Sequence, residues 1–362
     1  MEKILIIANN ADGLYIFRGK LITELISKGY SVFALTPFTS RIDELKSLGL
    51  TVIESQVDRR GTNPIKDTRL FFSYLKMIKK IRPDFIISYT IKPNIYGGLA
   101  ARIKRVPYAA NITGLGTAFQ KKGVLKFLTT FLYKKGLKKA KCVFFENSSN
   151  ASLFVKCKIV PQNKVQVLNG AGVDVDFFHY LPYPDDDEVV RFLFIGRIMK
   201  EKGINELFAA MKRLHDEGTK CHLTVVGSFE ENYKESILTY EKEGWLTNGG
   251  YTNNVKAFIS KTHCAILPSW HEGMANSNLE SASCGRPIIT SNIPGCKEAV
   301  VEGVTGFVCE PKDSNSLYKA MKQMICLSND ERAKMGISGR ELMKSKFDKV
   351  QVVKKTLDCL EL

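Results

Sequence analysis

Ser269-Trp-His-Glu-Gly-Met-Ala-Asn-Ser-Asn-Leu-Glu-Ser-Ala-Ser-Cys-Gly-Arg-Pro-Ile-Ile-Thr-Ser-Asn-Ile-Pro-Gly-Cys-Lys-Glu298 carries more polar punctuation between strand-like runs than any other part of the chain. Ala265-Ile-Leu-Pro-Ser269 and Pro287-Ile-Ile-Thr290 are short apolar runs that predict buried strands, and Ser277 to Cys284 between them predicts a helix. Glu272 then falls on the loop at a strand end, and Glu280 in the first turn of the helix. Ligands of open parallel sheets collect at such junctions, because loops at the carboxyl ends of strands meet helix N-termini whose N–H groups are unpaired.

The residues on either side repeat the pattern. Upstream, Val190 to Ile195 predicts a strand, Ile204 to His215 a helix and His222 to Val226 a strand ending at Gly227-Ser228. Between the first two lies Gly196-Arg197-Ile-Met-Lys200-Glu-Lys202-Gly203. Basic side chains between a strand end and a helix start suit a diphosphate, and they equally describe a solvated basic loop. Val255 to Lys261 predicts a short helix and Cys264 to Leu267 a strand. Downstream come a strand at Val304 to Cys309, a helix at Ser314 to Leu327 and helical stretches from Asp330 onward.

The first half alternates in the same way. Strands are expected at Lys3 to Ala8, Tyr30 to Leu35, Thr51 to Glu54, Asp84 to Ser88, Tyr108 to Ile112 and Val165 to Leu168. Helices are expected at Ile16 to Lys28, Arg41 to Leu48, Leu70 to Ile81 and Ile95 to Lys104. The loop Asn9-Asn-Ala-Asp-Gly13 precedes the first helix. This is an α/β chain of doubly wound sheets with helices on both faces. Gly13 and Gly19 follow the first strand without a G-x-G-x-x-G run, which argues against a nicotinamide dinucleotide site. Asn169-Gly-Ala-Gly-Val-Asp-Val-Asp176 is a turn-rich exit. Its Asp174-Val-Asp176 fits a metal-diphosphate pattern, but lies in a linker ahead of the acidic run Asp185 to Glu188.

A chain of 362 residues that is 44% hydrophobic divides into two domains rather than one. Nine cysteines, an odd number without a Cys-x-x-Cys pair, read as reduced thiols of a cytosolic protein. The first apolar run is too short for a signal peptide, and no run reaches the ~18 residues of a membrane span. The protein is expected to be soluble or peripheral.

The net charge of +16 is lopsided. Residues 1–180 carry 29 Lys and Arg against 12 Asp and Glu, whereas residues 181–362 carry 24 against 25. From Ala101 to Lys141 there are 11 basic residues and no acidic one. Within that stretch Leu125, Leu128, Leu132 and Tyr133 recur at helical spacing, with Phe127 and Phe131 beside them and Lys121, Lys122, Lys126, Lys134 and Lys135 around them. Such a helix can lie on an anionic membrane surface; the alternative is a surface helix whose apolar stripe faces the core. No nucleic-acid motif accompanies the lysines, so nucleic acid is not expected as a partner.

Ser277-x-x-Glu280 also fits a capping box, which would explain Glu280 structurally. The whole set of motifs weighs against that. Glu272-x7-Glu280, Gly196-Arg197…Lys202-Gly203, Asn169-Gly…Gly172-Val-Asp174 and Pro294-Gly-Cys-Lys-Glu298 occur in the order seen in retaining glycosyltransferases of family 4, with the GT-B fold. The chain resembles that family over nearly its full length. His271-Glu-Gly-Met-Ala-Asn276 with Asn111-Ile-Thr-Gly-Leu-Gly116 is most similar to bacterial enzymes that add N-acetylhexosamines or related sugars to polyprenyl-diphosphate-linked saccharides.

The resemblance implies two Rossmann-like domains facing a cleft. Residues 1–180 would take the lipid-linked acceptor at the membrane and residues 181–345 the nucleotide-sugar, while a helical tail, residues 346–362, would pack back on the first domain. Arg197 and Lys202 would neutralise the diphosphate leaving group, and Glu272 would hydrogen-bond the donor sugar. Glu280 would hold the ribose, and the backbone of Gly273 to Asn278 would hold phosphate. Gly196, Gly227, Met274, Asn276, Ser277, Asn278 and Leu279 would line the same site. Asn10, Gly13, Lys92, Asn111 and Thr113 would lie on the acceptor or sugar side. A UDP-sugar would be a substrate rather than a cofactor, with no metal required. The protein would work on the inner face of the cytoplasmic membrane, in surface polysaccharide or glycoprotein glycan assembly. One departure is that relatives carry a histidine after the strand Tyr108 to Ile112, where this chain has Thr113. Two rivals stand beside this reading: a UDP-N-acetylglucosamine 2-epimerase-like isomerase and a non-enzymatic binder of anionic surfaces.

Overall fold

A computed structural model describes residues 1–58, 61, 63–115, 119, 123–185 and 188–362. The chain forms two compact units. Residues 1–171 with Val350–Leu362 make the first and Gly172–Lys349 the second.

The first unit opens with strand β1 (Lys3–Ile7), helix α1 (Ala11–Ser27), β2 (Ser31–Thr36), α2 (Ile42–Ser47) and β3 (Thr51–Glu54). Helix α3 (Pro64–Ile81), β4 (Phe85–Tyr89), a π-helical turn Pro93–Gly97, α4 (Gly98–Lys104) and β5 (Tyr108–Ile112) follow. Then come α5 (Val124–Leu137), β6 (Cys142–Phe145), α6 (Ser148–Lys156) and β7 (Val165–Val167). The seven strands are parallel, in the order β3-β2-β1-β4-β5-β6-β7. Successive residues of β1 feed opposite cores, because a strand alternates its side chains. Ile4 and Ile6 pack with Leu21 and Leu25 of α1, and Leu5 and Ile7 pack with Tyr74 of α3 and Tyr133 of α5.

Helix α1 begins earlier than its apolar spacing suggests. Asn10 is its N-cap, with the side chain accepting from the Asp12 N–H at 3.2 Å, so the supposed loop residues Ala11 to Gly13 form the first turn. Helix α3 likewise starts at Pro64, capped by Asn63, well before Leu70.

The second unit contains β8 (Val190–Ile195), α7 (Ile204–Asp216), β9 (Cys221–Val226), α8 (Lys234–Lys242), β10 (Leu246–Gly250), α9 (Lys256–Ile259) and β11 (Cys264–Leu267). It continues with α10 (Asn276–Ser283), β12 (Ile288–Ser291), β13 (Gly306–Cys309), α11 (Ser314–Cys326) and α12 (Asn329–Leu342). Its six strands are parallel in the order β10-β9-β8-β11-β12-β13. One face packs on α7, α8 and α11, the other on α9, α10 and Met343–Phe347. Helix α13 (Lys349–Leu360) ends the chain, and Val352, Val353, Leu357 and Leu360 join the core that holds Ile4 and Ile6 of the first unit.

In each sheet the helices change face once in strand order, between β1 and β4 in the first unit and between β8 and β11 in the second. The carboxyl ends of such strand pairs leave a crevice, because the connecting chains depart in opposite directions.

Candidate active site

The crevice of the second unit is built from two loops. One leaves β8 as Gly196 to Gly203, including a 3-10 turn Lys200–Lys202; the other leaves β11 and runs into α10. They are fastened together. The Glu201 carbonyl accepts from the Trp270 N–H at 3.0 Å and from the Ser269 hydroxyl at 3.2 Å. Nε2 of His271 lies 3.4 Å from a Glu201 carboxylate oxygen, and the Lys200 ammonium lies 5.5 Å from the Trp270 ring centre. Gly203 has φ of +75°, and a Cβ there would overlap the Pro268 carbonyl, so glycine is what lets the loops approach this closely. Gly227 plays the same part beside Gly196, whose carbonyl oxygen occupies the space a Cβ would need.

At the centre the Lys202 ammonium is ion-paired with the Glu272 carboxylate, with side chains only 18% and 12% exposed. Arg197 is more open and lies 3.7 Å from Glu230. Burial holds the His271 imidazole below its ordinary 6.5; Glu201 and Glu272 pull it up, while Lys202 and Lys312 push it further down. His271 is therefore predominantly neutral at pH 7. Burial, reinforced by Glu272, raises the adjoining Cys296 thiol far above its usual range, which makes it an inert wall.

Helix α10 corrects the capping-box reading. Its N-cap is Ala275 with no side-chain cap, Ser277 lies inside the helix, and no acidic residue occupies the first turn. A tertiary contact anchors the start instead, since the Ala275 N–H donates to the Gly295 carbonyl at 2.7 Å. Glu280 is a half-buried carboxyl one turn further in; burial raises its pKa to about 7, against a lowering pull from Lys349.

Other residues expected here divide by what their side chains already do. Met274 and Leu279 are core, and Asn278 is buried with its amide donating to the Thr290 hydroxyl at 2.9 Å. These three can offer a ligand only backbone. The N–H of Asn278 already donates to the Ala275 carbonyl. Among the described residues, no hydrogen bond takes the N–H of Asn276 or Ser277, and the side-chain oxygen of Asn276 is buried without a partner. Two unpaired donors at a helix start can hold an anion. Gly273 precedes them as a buried backbone position.

In the first unit, Asn10 and Gly13 follow β1 and Lys92 follows β4, so all three stand beside the crevice of that sheet. Asn10 is occupied as a cap. Lys92 is paired with Asp67 at 2.5 Å, and the Tyr96 hydroxyl donates to the same carboxylate at 3.0 Å. Asn111 is the next-to-last residue of β5, with its side-chain oxygen buried and unpartnered, and Thr113 follows the strand half-exposed. On α5 the apolar stripe is split: Tyr133 is buried and Leu132 packs on the core, but Leu125 and Leu128 do not face it. Thr129, Tyr133, Gly136 and Leu137 do, whereas Leu125, Phe127, Leu128 and Phe131 are exposed beside Lys134 and Lys135; Lys126 is partly exposed. Lys121 and Lys122 lie outside the described residues. Asp174 accepts from the Phe177 N–H at 2.9 Å in a local turn. Among the described residues, no group of three or more His, Cys, Asp or Glu could hold a metal ion, and no helix is long and apolar enough to cross a membrane.

His271, Glu201 and Trp270 were not singled out from sequence as site residues. His271 and Trp270 adjoin Glu272, but the loop they fasten to is about 70 residues away in the chain, and spacing alone does not join the two.

Comparison with known proteins agrees with this architecture. Residues 3–147 match the family described as Glycosyl transferase 4-like, and residues 182–342 match Glycosyl transferases group 1. The chain is 28% identical to the N,N'-diacetylbacillosaminyl-diphospho-undecaprenol alpha-1,3-N-acetylgalactosaminyltransferase of Campylobacter jejuni, over 90% of this chain and 89% of that one. It is 26% identical to the UDP-Gal:alpha-D-GlcNAc-diphosphoundecaprenol alpha-1,3-galactosyltransferase of Escherichia coli, over 72% and 71%. Anabaena HepE, crystallised with UDP and glucose, superimposes with a TM-score of 0.80 at 14% identity, over 100% of both chains. The fold is that of GT-B enzymes, with two Rossmann-like units, and the isomerase and non-enzymatic readings give way. The chain belongs to the glycosyltransferases, joining a 4-like first part to a group 1 second part, and it is an enzyme.

Proposed function

We propose that this enzyme is a retaining, metal-independent transferase that moves a hexosamine-type sugar from UDP to a saccharide carried on polyprenyl diphosphate. It works on the cytoplasmic face of the membrane, in surface polysaccharide or glycoprotein glycan assembly. The observation that carries the reading is the crevice of the second unit. There Lys202, Glu272 and the unpaired N–H groups of Asn276 and Ser277 converge on the carboxyl ends of β8 and β11. Acceptors named for two relatives, both saccharides on diphospho-undecaprenol, support the lipid-linked acceptor. The outward-facing aromatic and basic residues of α5 support a membrane surface as partner.

In this reading Arg197 and Lys202 hold the diphosphate with the start of α10, Glu280 accepts from the ribose hydroxyls, and Glu272 accepts from the sugar hydroxyls. The bond from the sugar C1 to the phosphate oxygen breaks as the acceptor oxygen bonds to C1 on the same face. The acceptor proton passes to the departing phosphate. Rate enhancement then comes from charges already aimed where the leaving group turns negative.

Turnover with UDP-N-acetylhexosamines and an undecaprenyl-diphosphate-linked sugar tests this. Arg197→Ala with Lys202→Ala should lower turnover by about 100-fold or more, measured below a melting temperature that the loss of the Glu272 partner lowers, so that the fall exceeds any loss of folded protein. Full activity in the double variant would sink the assignment.

A further inference from the structure

Lys202 and Glu272 satisfy each other in the structure, yet on the proposed function each has a separate task toward the donor. Lys202 serves the diphosphate and Glu272 the sugar. An ammonium drawn to a diphosphate cannot keep its full contact with a carboxylate that is also to receive sugar hydroxyls. The pair is not a loose surface contact. The Glu201 carbonyl, the His271 to Glu201 contact and the close approach at Gly203 fasten the two loops, so neither partner can drift from the other cheaply. Both side chains are more than four-fifths buried, and the neighbouring Cys296 is fully buried. A carboxylate stranded in such a place carries a penalty unless hydrogen-bond donors replace its lost partner.

We infer that the Lys202–Glu272 ion pair is a latch through which Glu272 distinguishes the intact nucleotide-sugar from the bare nucleoside diphosphate. This rests on the proposed donor site. A nucleotide-sugar exchanges the pair completely: its diphosphate takes Lys202 and its sugar hydroxyls donate to Glu272. UDP takes Lys202 but brings no hydroxyl group for Glu272, so its binding bears the cost of the stranded carboxylate. Once the sugar has left, Glu272 recaptures Lys202, and the product UDP is released more readily than the donor.

Titration calorimetry with UDP decides the matter in a double-mutant cycle. Glu272→Gln keeps the shape and removes the charge. It should bind UDP about tenfold more tightly than the wild type, a change of about 1.4 kcal/mol. In a Lys202→Met background the same change should tighten UDP far less, because no latch remains to open. Equal tightening in both backgrounds would mean that Glu272 acts only as a nearby negative charge, and the latch would be wrong. Unchanged or weaker UDP binding by Glu272→Gln would also overturn it. Glu272→Asp, whose shorter arm withdraws from Lys202, should fall between wild type and Gln, and it supplies the comparison should Gln perturb the fold. If the wild type binds neither UDP nor GDP, the donor reading itself fails and the latch with it.

Discussion

Glu280 shows how one half-buried carboxyl can shape both stability and ligand binding. Burial raises its pKa from 4.5 to about 7, with Lys349 offsetting part of the rise. Between those values the native state keeps a proton that the unfolded chain has released. Stability therefore falls as pH climbs from about 4.5 to about 7, and stays lower above that window. Glu280→Gln removes the titration, so its melting temperature should match the wild type near pH 4.5 and exceed it at pH 8. Parallel melting curves from pH 4.5 to 8 would contradict this account. The same titration bears on the donor: an ionised carboxylate is a pure acceptor for ribose hydroxyls. Residue types and spacing marked Glu272, Glu280, Arg197 and Lys202 for attention, but not their pairing. That Lys202 faces Glu272 across 70 positions, or that Ala275 rather than Ser277 begins α10, depends on partners distant in the chain.

Among the elements, α5 follows its own periodicity only in part: Leu132 and Tyr133 meet the core, but Leu125 and Leu128 do not. A leucine stripe normally marks the buried face of a helix. Here the contact with the π-helical turn Pro93–Gly97 requires close backbone approach, and Gly136 supplies it, since a Cβ there would lie 2.8 Å from Ile95. The Tyr108 hydroxyl donates to the Gly136 carbonyl at 2.5 Å and holds the arrangement. Turning Gly136 and Tyr133 inward turns Leu125, Phe127, Leu128 and Phe131 outward, with Phe127 76% exposed. Replacing Phe127 and Phe131 by Ala together with Lys134 and Lys135 by Glu should weaken co-sedimentation with phosphatidylglycerol vesicles by about tenfold or more. The melting temperature should hold, because the replaced groups lie on the open face. Vesicle binding that persists unchanged would remove α5 from the membrane contact. Strands of apolar, β-branched composition such as Val190–Ile195 were legible; α8 and β10 were not. Helix α8 buries only Ile237, and β10 reads Leu-Thr-Asn-Gly-Gly, so pairing with β9 rather than propensity makes it a strand.

At the scale of the whole molecule, the chain leaves its first unit at Gly172 and returns to it after Lys349. The two connecting segments bond to one another: the Val173 N–H donates to the Phe347 carbonyl at 2.8 Å, and the Lys349 N–H to the Val173 carbonyl at 2.9 Å. Helix α13 then completes the first unit's core. Its Lys355 ammonium donates to the Val167 carbonyl at 2.8 Å, and Lys141 of the same unit donates to the Leu360 carbonyl at 2.9 Å. Val352, Val353, Leu357 and Leu360 are buried there, each worth about 1.5–3 kcal/mol as an upper estimate. Deleting residues 350–362 should therefore lower the melting temperature of the first unit by at least about 10 °C. The transition of the second unit should move less, and two-transition calorimetry separates them. Equal loss from both units would show that α13 does not serve the first in particular.

Local chemistry by itself determined the alternation of strands and helices, the doubly wound class of both halves, the uneven charge and the loops on which chemistry would sit. Apolar runs, glycine stops and charge are properties of neighbours in the chain, so they can be read without coordinates. The tertiary structure alone decided which face of α5 is covered, where α10 begins, and that Lys202 and Glu272 neutralise each other. These are set by atoms brought together from far apart in sequence, where a close backbone approach or a shared carbonyl outweighs what either segment prefers alone.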